Sequence, residues 1–180
     1  MGEILARDAL VVKVAGDRAA GLTVAFANGC FDLLHVGHTR YLRAAAAEGD
    51  RLVVAINDDE SVRSLKGKSR NGAQGRSSQP VLAAADRAEL VVALRCVDYV
   101  VIFPDSTVGP LLRALTPDVH CKGTDYAPDT VPERDIVNGY GGRIAIVGDP
   151  KDHSTRDLLA RISGRSRSTA SESPRHRSAP

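Results

Sequence analysis

Asn28-Gly29-Cys30-Phe31-Asp32-Leu33-Leu34-His35-Val36-Gly37-His38 is the stretch that decides how this chain is read. It follows an apolar, strand-like run over 22–27 and precedes an alanine-rich segment, 39–48, that reads as a helix. Strand, turn, two histidines about a glycine, then helix is the layout of a phosphate-binding corner. The start of a helix offers unpaired N–H groups and the positive end of its dipole, and both favour an anion. Gly29 and Gly37 carry no side chain, so the backbone there can approach a ligand closely. His35 and His38 are three residues apart, which on a helical turn puts both imidazoles on one side. Both can then donate hydrogen bonds to the same polyphosphate.

On either side of this corner strands and helices alternate. Strands are expected at 22–27, 52–56, 99–103, 118–122 and 143–147, and helices at about 7–20, 39–48, 83–94, 108–115, 136–140 and 155–162. The first two strands are apolar on both faces, as in a parallel sheet covered by helices on each side. The class is therefore α/β, a doubly wound, five-stranded parallel sheet of Rossmann-like form. Ligands in such sheets bind beyond the carboxyl ends of the strands, near the point where strand order reverses. Polar residues do gather there. Asn28, Asp32, His35 and His38 follow the first strand, and Asn57, Asp58 and Asp59 the second. Asp105, Ser106 and Thr107 follow the third, Lys122, Gly123, Thr124 and Asp125 the fourth, and Asp152, His153, Ser154 and Thr155 the fifth.

Composition limits the alternatives. A chain of 180 residues fits one folded domain, set at 1–162, and 163–180 reads as a disordered Arg/Ser-rich tail. That tail holds four arginines against one glutamate, so the net charge of +2 belongs to it and the domain itself carries −1. Only 4% of residues are aromatic and no basic–aromatic stripe exists, so nucleic acid is not an expected partner. No apolar run approaches the roughly 20 residues that cross a bilayer. The first eight residues lack a basic lead into a signal core, and three scattered cysteines suit a reducing cytoplasm, the expected location. A zinc site on the two histidines lacks a nearby third ligand. Gly67-Lys68-Ser69 resembles the end of a Walker loop, but position 62, where that loop needs glycine, is Val62. No G-x-G-x-x-G follows the first strand, which argues against a dinucleotide redox cofactor.

The run Asn28 to Asp32 with His35-Val36-Gly37-His38 resembles the H-x-G-H signature of the nucleotidylyltransferase superfamily. Within it the chain is most similar to the D-glycero-D-manno-heptose 1-phosphate adenylyltransferases. Supporting segments, in the family's order, are Ala55 to Arg63, Asp86-Arg87-Ala88-Glu89, Cys96 to Val100, Lys122-Gly123-Thr124-Asp125-Tyr126, Gly141-Gly142-Arg143 and Ser154-Thr155. The likeness covers about residues 5–162.

The resemblance implies that a sugar phosphate attacks the α-phosphorus of a nucleoside triphosphate and pyrophosphate leaves. It implies His35, His38 and Lys66 as catalytic groups on the triphosphate. Asn28, Gly29, Cys30, Phe31, Gly37, Lys122, Gly123, Ser154 and Thr155 would surround the nucleotide, the Cys30 thiol packing rather than reacting. Asp32 and Asp58 would contact substrate or magnesium, and Arg87 substrate, although its helical position equally suits a structural role. Mg2+, ATP as co-substrate and a homodimer belong to the same expectation; no particular metal ligand is assigned.

The chain departs from the family twice. Ser154-Thr155 continues into Arg156 where the family has a second threonine, and 71–79 is inserted before Pro80-Val81, where Gln79 replaces a common arginine. Arg70 or Arg76 would supply the missing cation, and the inserted loop would act as a lid. The expected product is ADP-heptose. A cytidylyltransferase for glycerol 3-phosphate or a related polyol phosphate, and a nucleotide-binding module without turnover, are the alternatives.

Overall fold

In the computed structural model, which describes residues 2–68 and 80–149 with Thr155, Leu159 and Ile162, the signature run closes one strand and opens one helix. The elements are β1 (Glu3–Ile4), α1 (Arg7–Ala19), β2 (Val24–Gly29), α2 (Val36–Ala46), β3 (Arg51–Asn57), α3 (Asp59–Lys68) and α4 (Ala84–Val92). They continue with β4 (Tyr99–Phe103), α5 (Gly109–Leu115), β5 (Val119–Lys122), α6 (Arg134–Gly139) and β6 (Arg143–Ile146), with a 3-10 turn at Pro128–Thr130. Ser154, Arg156, the insertion at 71–79 and the tail at 163–180 lie outside the described residues.

The strands form one open sheet in the order β1-β4-β3-β2-β5-β6, every pair parallel. Six strands replace the expected five. The addition is the two-residue β1, which pairs Glu3 with Tyr99 and Ile4 with Val100 at the sheet's edge. Two residues, one of them charged, are too short for the period-2 pattern that reveals a strand. A second difference is α3, which begins within the polar region after β3. Its start is fixed by Asp58, whose Oδ1 accepts the Ser61 amide at 2.7 Å and the Ser61 hydroxyl at 2.6 Å, an N-cap.

Alternation along each central strand feeds two cores. Ala25, Ala27, Leu52, Val54, Ile56 and Val100 pack on one face with Leu42 and Ala45 of α2 and Ala88 and Val91 of α4. Val24, Phe26, Val53, Ala55 and Val101 pack on the other with Leu10 and Val14 of α1, Leu111 and Leu112 of α5 and Val137 of α6. Burial on both faces explains why these strands read as unbroken apolar runs. The chain runs outward from β2 through β3 to β4, then returns to place β5 on the other side of β2. The crevice of this sheet therefore lies at the carboxyl ends of β2 and β5.

Candidate functional site at the reversal of strand order

The turn from β2 into α2 is built from two left-handed residues. Phe31 has φ 49° and Leu33 φ 50°, neither a glycine. Each such residue costs roughly 1–2 kcal/mol, so the turn persists only because the surroundings over-determine it. At Gly29 a Cβ would stand 3.2 Å from the Phe31 ring, which accounts for glycine there through packing within the turn. The Phe31 ring in turn lies against the His38 ring, centroids 5.4 Å apart, and the Tyr41 ring at 6.5 Å.

His35 is the N-cap of α2 and His38 its third residue, so the helix starts three residues before the alanine-rich run suggests. The two imidazoles stack with centroids 3.9 Å apart and planes 23° from parallel. The His35 amide donates to Nδ1 of His38 at 3.4 Å. A ring nitrogen that accepts carries no proton, so neutral His38 holds its proton on Nε2, where it can be given to an anion. Gly37 sits in the same first turn, among the amides that no helical carbonyl satisfies.

Across the crevice, Asn28 of β2 meets two residues of β5. Its Oδ1 accepts Nζ of Lys122 at 3.1 Å and lies 3.2 Å from Nε2 of His120. Lys122 also pairs with Glu133 at 3.1 Å and stands 5.2 Å from the centre of the Tyr126 ring. Beside it, a Cβ on Gly123 would be 2.9 Å from Oδ1 of Asp125. His120 is fully buried, edge-on to Phe26 at 5.7 Å. Burial, with the Lys122 charge next to it, pushes its pKa down to about 3, so its ring is neutral and serves as a donor to Asn28. His120 and Glu133 were not readable as site residues. An imidazole in an apolar strand and a carboxylate beyond a proline turn carry no motif.

Four of the expected contact residues have partners within the chain. The Asp32 side chain is buried at 1% exposure and accepts the main-chain amides of Val81 and Leu82. Arg87 is fully buried; its guanidinium donates to the carbonyls of Cys30 and Leu82 and pairs with Asp59 at 2.8 Å. These contacts tie protein segments together. Asp58 caps α3; burial opposes its charge, but the Ser61 hydroxyl and amide and the charges of Arg87 and Arg63 outweigh burial and hold its carboxyl below the ordinary value. The Thr155 hydroxyl donates to the Asp32 carbonyl at 2.8 Å, a main-chain tie. Lys66 falls within α3, and its side chain lies outside the described residues.

Among the described residues no group of three or more His, Cys, Asp or Glu is disposed to hold a metal ion. Among them also, no helix is long and apolar enough to cross a membrane.

These features fall inside a recognisable family. The model of the cytidylyltransferase-like family matches residues 26–150, from β2 through β6. The chain belongs to the cytidylyltransferase-like family. It is similar to the bifunctional protein HldE of Syntrophotalea carbinolica, 42% identical over 160 residues that make up 89% of this chain and 31% of the relative. The HldE protein of Azorhizobium caulinodans is 44% identical over 160 residues, 89% of this chain and 32% of its own length. The chain thus spans about a third of these relatives. A crystal structure of the lipopolysaccharide core biosynthesis protein from Thermoplasma volcanium GSS1 shares the fold, with a TM-score of 0.57 and 23% identity over 73% of this chain and all of that one. As a cytidylyltransferase-like domain the protein is a nucleotidyltransferase, and β1 and α1 lie before the part the family model covers.

Proposed function

We propose that this domain transfers AMP from ATP to D-glycero-D-manno-heptose 1-phosphate, releasing pyrophosphate and forming ADP-heptose. The observation that carries the reading is the stacked His35–His38 pair at the start of α2, set where strand order reverses in a cytidylyltransferase-like chain. The choice of heptose rests on the sequence likeness to heptose 1-phosphate adenylyltransferases and on the HldE relatives.

In this reaction an acceptor phosphate oxygen forms a bond to the α-phosphorus, and the bond from that phosphorus to the bridging oxygen breaks. No covalent enzyme intermediate is needed, so the protein's work is to orient two anions and steady the charge that develops. The Nε2–H of His38 and the first-turn amides of α2 supply donors on one side, with His35 beside them. Lys122, anchored on Asn28 and Glu133, and Lys66 on α3 would contact phosphate or the nucleotide, together with Ser154. Magnesium enters this reading with the triphosphate, as part of the substrate. A cytoplasmic homodimer completes the proposal.

Purified protein given magnesium, heptose 1-phosphate and either ATP or CTP should release pyrophosphate with ATP. Release with CTP alone moves the assignment to a cytidylyltransferase, and nucleotide binding without any release points to a module lacking turnover. Sedimentation of the same sample reads the dimer.

A further inference from the structure

We propose that Asp32 is a positioning residue, a carboxylate that clamps the histidine turn to the segment entering α4 and touches neither magnesium nor substrate. The proposal rests on the nucleotidyl-transfer reading for its kinetic arm only.

Residue 32 is held from both ends. Its Oδ1 accepts Val81 N at 3.0 Å and Leu82 N at 3.2 Å, and its Oδ2 lies 3.1 Å from the same Val81 amide. Its carbonyl accepts the Thr155 hydroxyl at 2.8 Å. Arg87 reciprocates from α4, reaching back to the Cys30 carbonyl and to the Leu82 carbonyl at 3.1 Å. The clasp's contacts at Cys30 and Asp32 flank left-handed Phe31 and directly precede left-handed Leu33, the two residues that aim the chain into α2. Three residues after Asp32 comes His35, so the angle at which the stacked imidazoles leave the turn is set by this clasp.

The chemistry of the clamp distinguishes it from a charged contact. An amide oxygen can replace Oδ1 as acceptor for Val81 and Leu82, whereas an amide cannot replace a carboxylate on magnesium. Asp32→Asn should therefore keep kcat within about tenfold of the parent, the difference between a charged and a neutral acceptor. Its magnesium half-saturation and its KM values should stay at the parent's. Asp32→Ala should lose kcat by about a hundredfold or more, with smaller changes in KM.

A second measurement needs no turnover: the imidazole NMR resonances of His35 and His38 should move in Asp32→Ala and return toward parent positions in Asp32→Asn. Where Asp32→Ala does not fold, Asp32→Asn alone decides, through its magnesium half-saturation and its imidazole positions. An Asp32→Asn protein closer in kcat to Asp32→Ala than to the parent, or one needing more magnesium, overturns the proposal. So does an Asp32→Ala protein of parental activity, or unmoved imidazoles in it. Absence of pyrophosphate release by the parent with any nucleotide would count against the proposed function, while the resonances would still test Asp32.

Discussion

His35 and His38 lie ring against ring, 3.9 Å between centroids, and the amide of the first donates to Nδ1 of the second. Stacking holds the two rings together at one helical turn, and the amide bond to Nδ1 leaves Nε2 to carry the proton of neutral His38. The Phe31 ring packs against His38, centroids 5.4 Å apart. In the proposed reaction, a pair so arranged would present oriented donors at the sheet's crevice with little left to reorganise when charge develops on a phosphate.

His38→Ala should lower turnover by about 10²–10³, the usual loss when one oriented donor to a developing charge is removed. His35→Ala should lose a comparable factor. Because the rings act as a unit, the double variant should lose less than the product of the two single losses. Pyrophosphate release measures each loss, and circular dichroism should show the fold retained. Near-parental turnover in His38→Ala would remove it from the chemistry.

Arg87 makes a different prediction, one of stability. Its guanidinium is fully buried and serves the carbonyls of Cys30 and Leu82 and the Asp59 carboxylate. Arg87→Met strands all three groups, at a cost of about 3 kcal/mol or more. Arg87→Lys keeps the charge but not the fork, so it should recover only part of that loss. Urea denaturation of the three proteins measures the order; equal stability of Arg87→Met and the parent would show the ties to be idle.

The sequence carried the central sheet well because burial on both faces writes itself as apolar runs: the strand over Tyr99–Phe103 is found where it was expected. It did not carry β1, where two residues lack any period, or α3, whose stability comes from the Asp58 cap and from burying Ser61 and Val62. The histidine corner was legible because its strand end, turn and helix start are contiguous in sequence. The main-chain ties of Asp32 and Arg87 were not, since they reach partners 49 and 57 residues away that only the folded chain brings close. His120 is the same case in reverse, an imidazole whose strand neighbours hide its link to Asn28.

The Lys122–Glu133 pair, with side chains only 8% and 12% exposed, predicts a non-additive response. Lys122→Met leaves the Glu133 carboxylate buried without its cation and should destabilise the protein by about 3 kcal/mol. Adding Glu133→Gln removes the stranded charge, so the double variant should regain most of that stability. A double-mutant cycle by urea denaturation reads the coupling. Additive losses would mean that the two groups do not depend on each other.

His120 gives the fold a pH dependence whose sign is fixed by its surroundings. Its ring is buried against Phe26, bonded to Asn28 and next to the Lys122 cation, and its folded pKa is held at about 3 against an ordinary 6.5. Above pH 6.5 both folded and unfolded chains carry the ring neutral, and the group adds no dependence on pH. Below that value the unfolded chain takes up a proton that the folded one refuses, so stability falls as pH falls, down to about 3. The slope approaches about 1.4 kcal/mol per pH unit for this one group. His120→Gln keeps an amide donor for Asn28 and has nothing to titrate, so its stability should fall less steeply between pH 6 and pH 4. Urea midpoints across that range, parent against variant, measure the difference. Parallel curves would mean that the buried imidazole is protonated as readily in the folded chain as in the unfolded one.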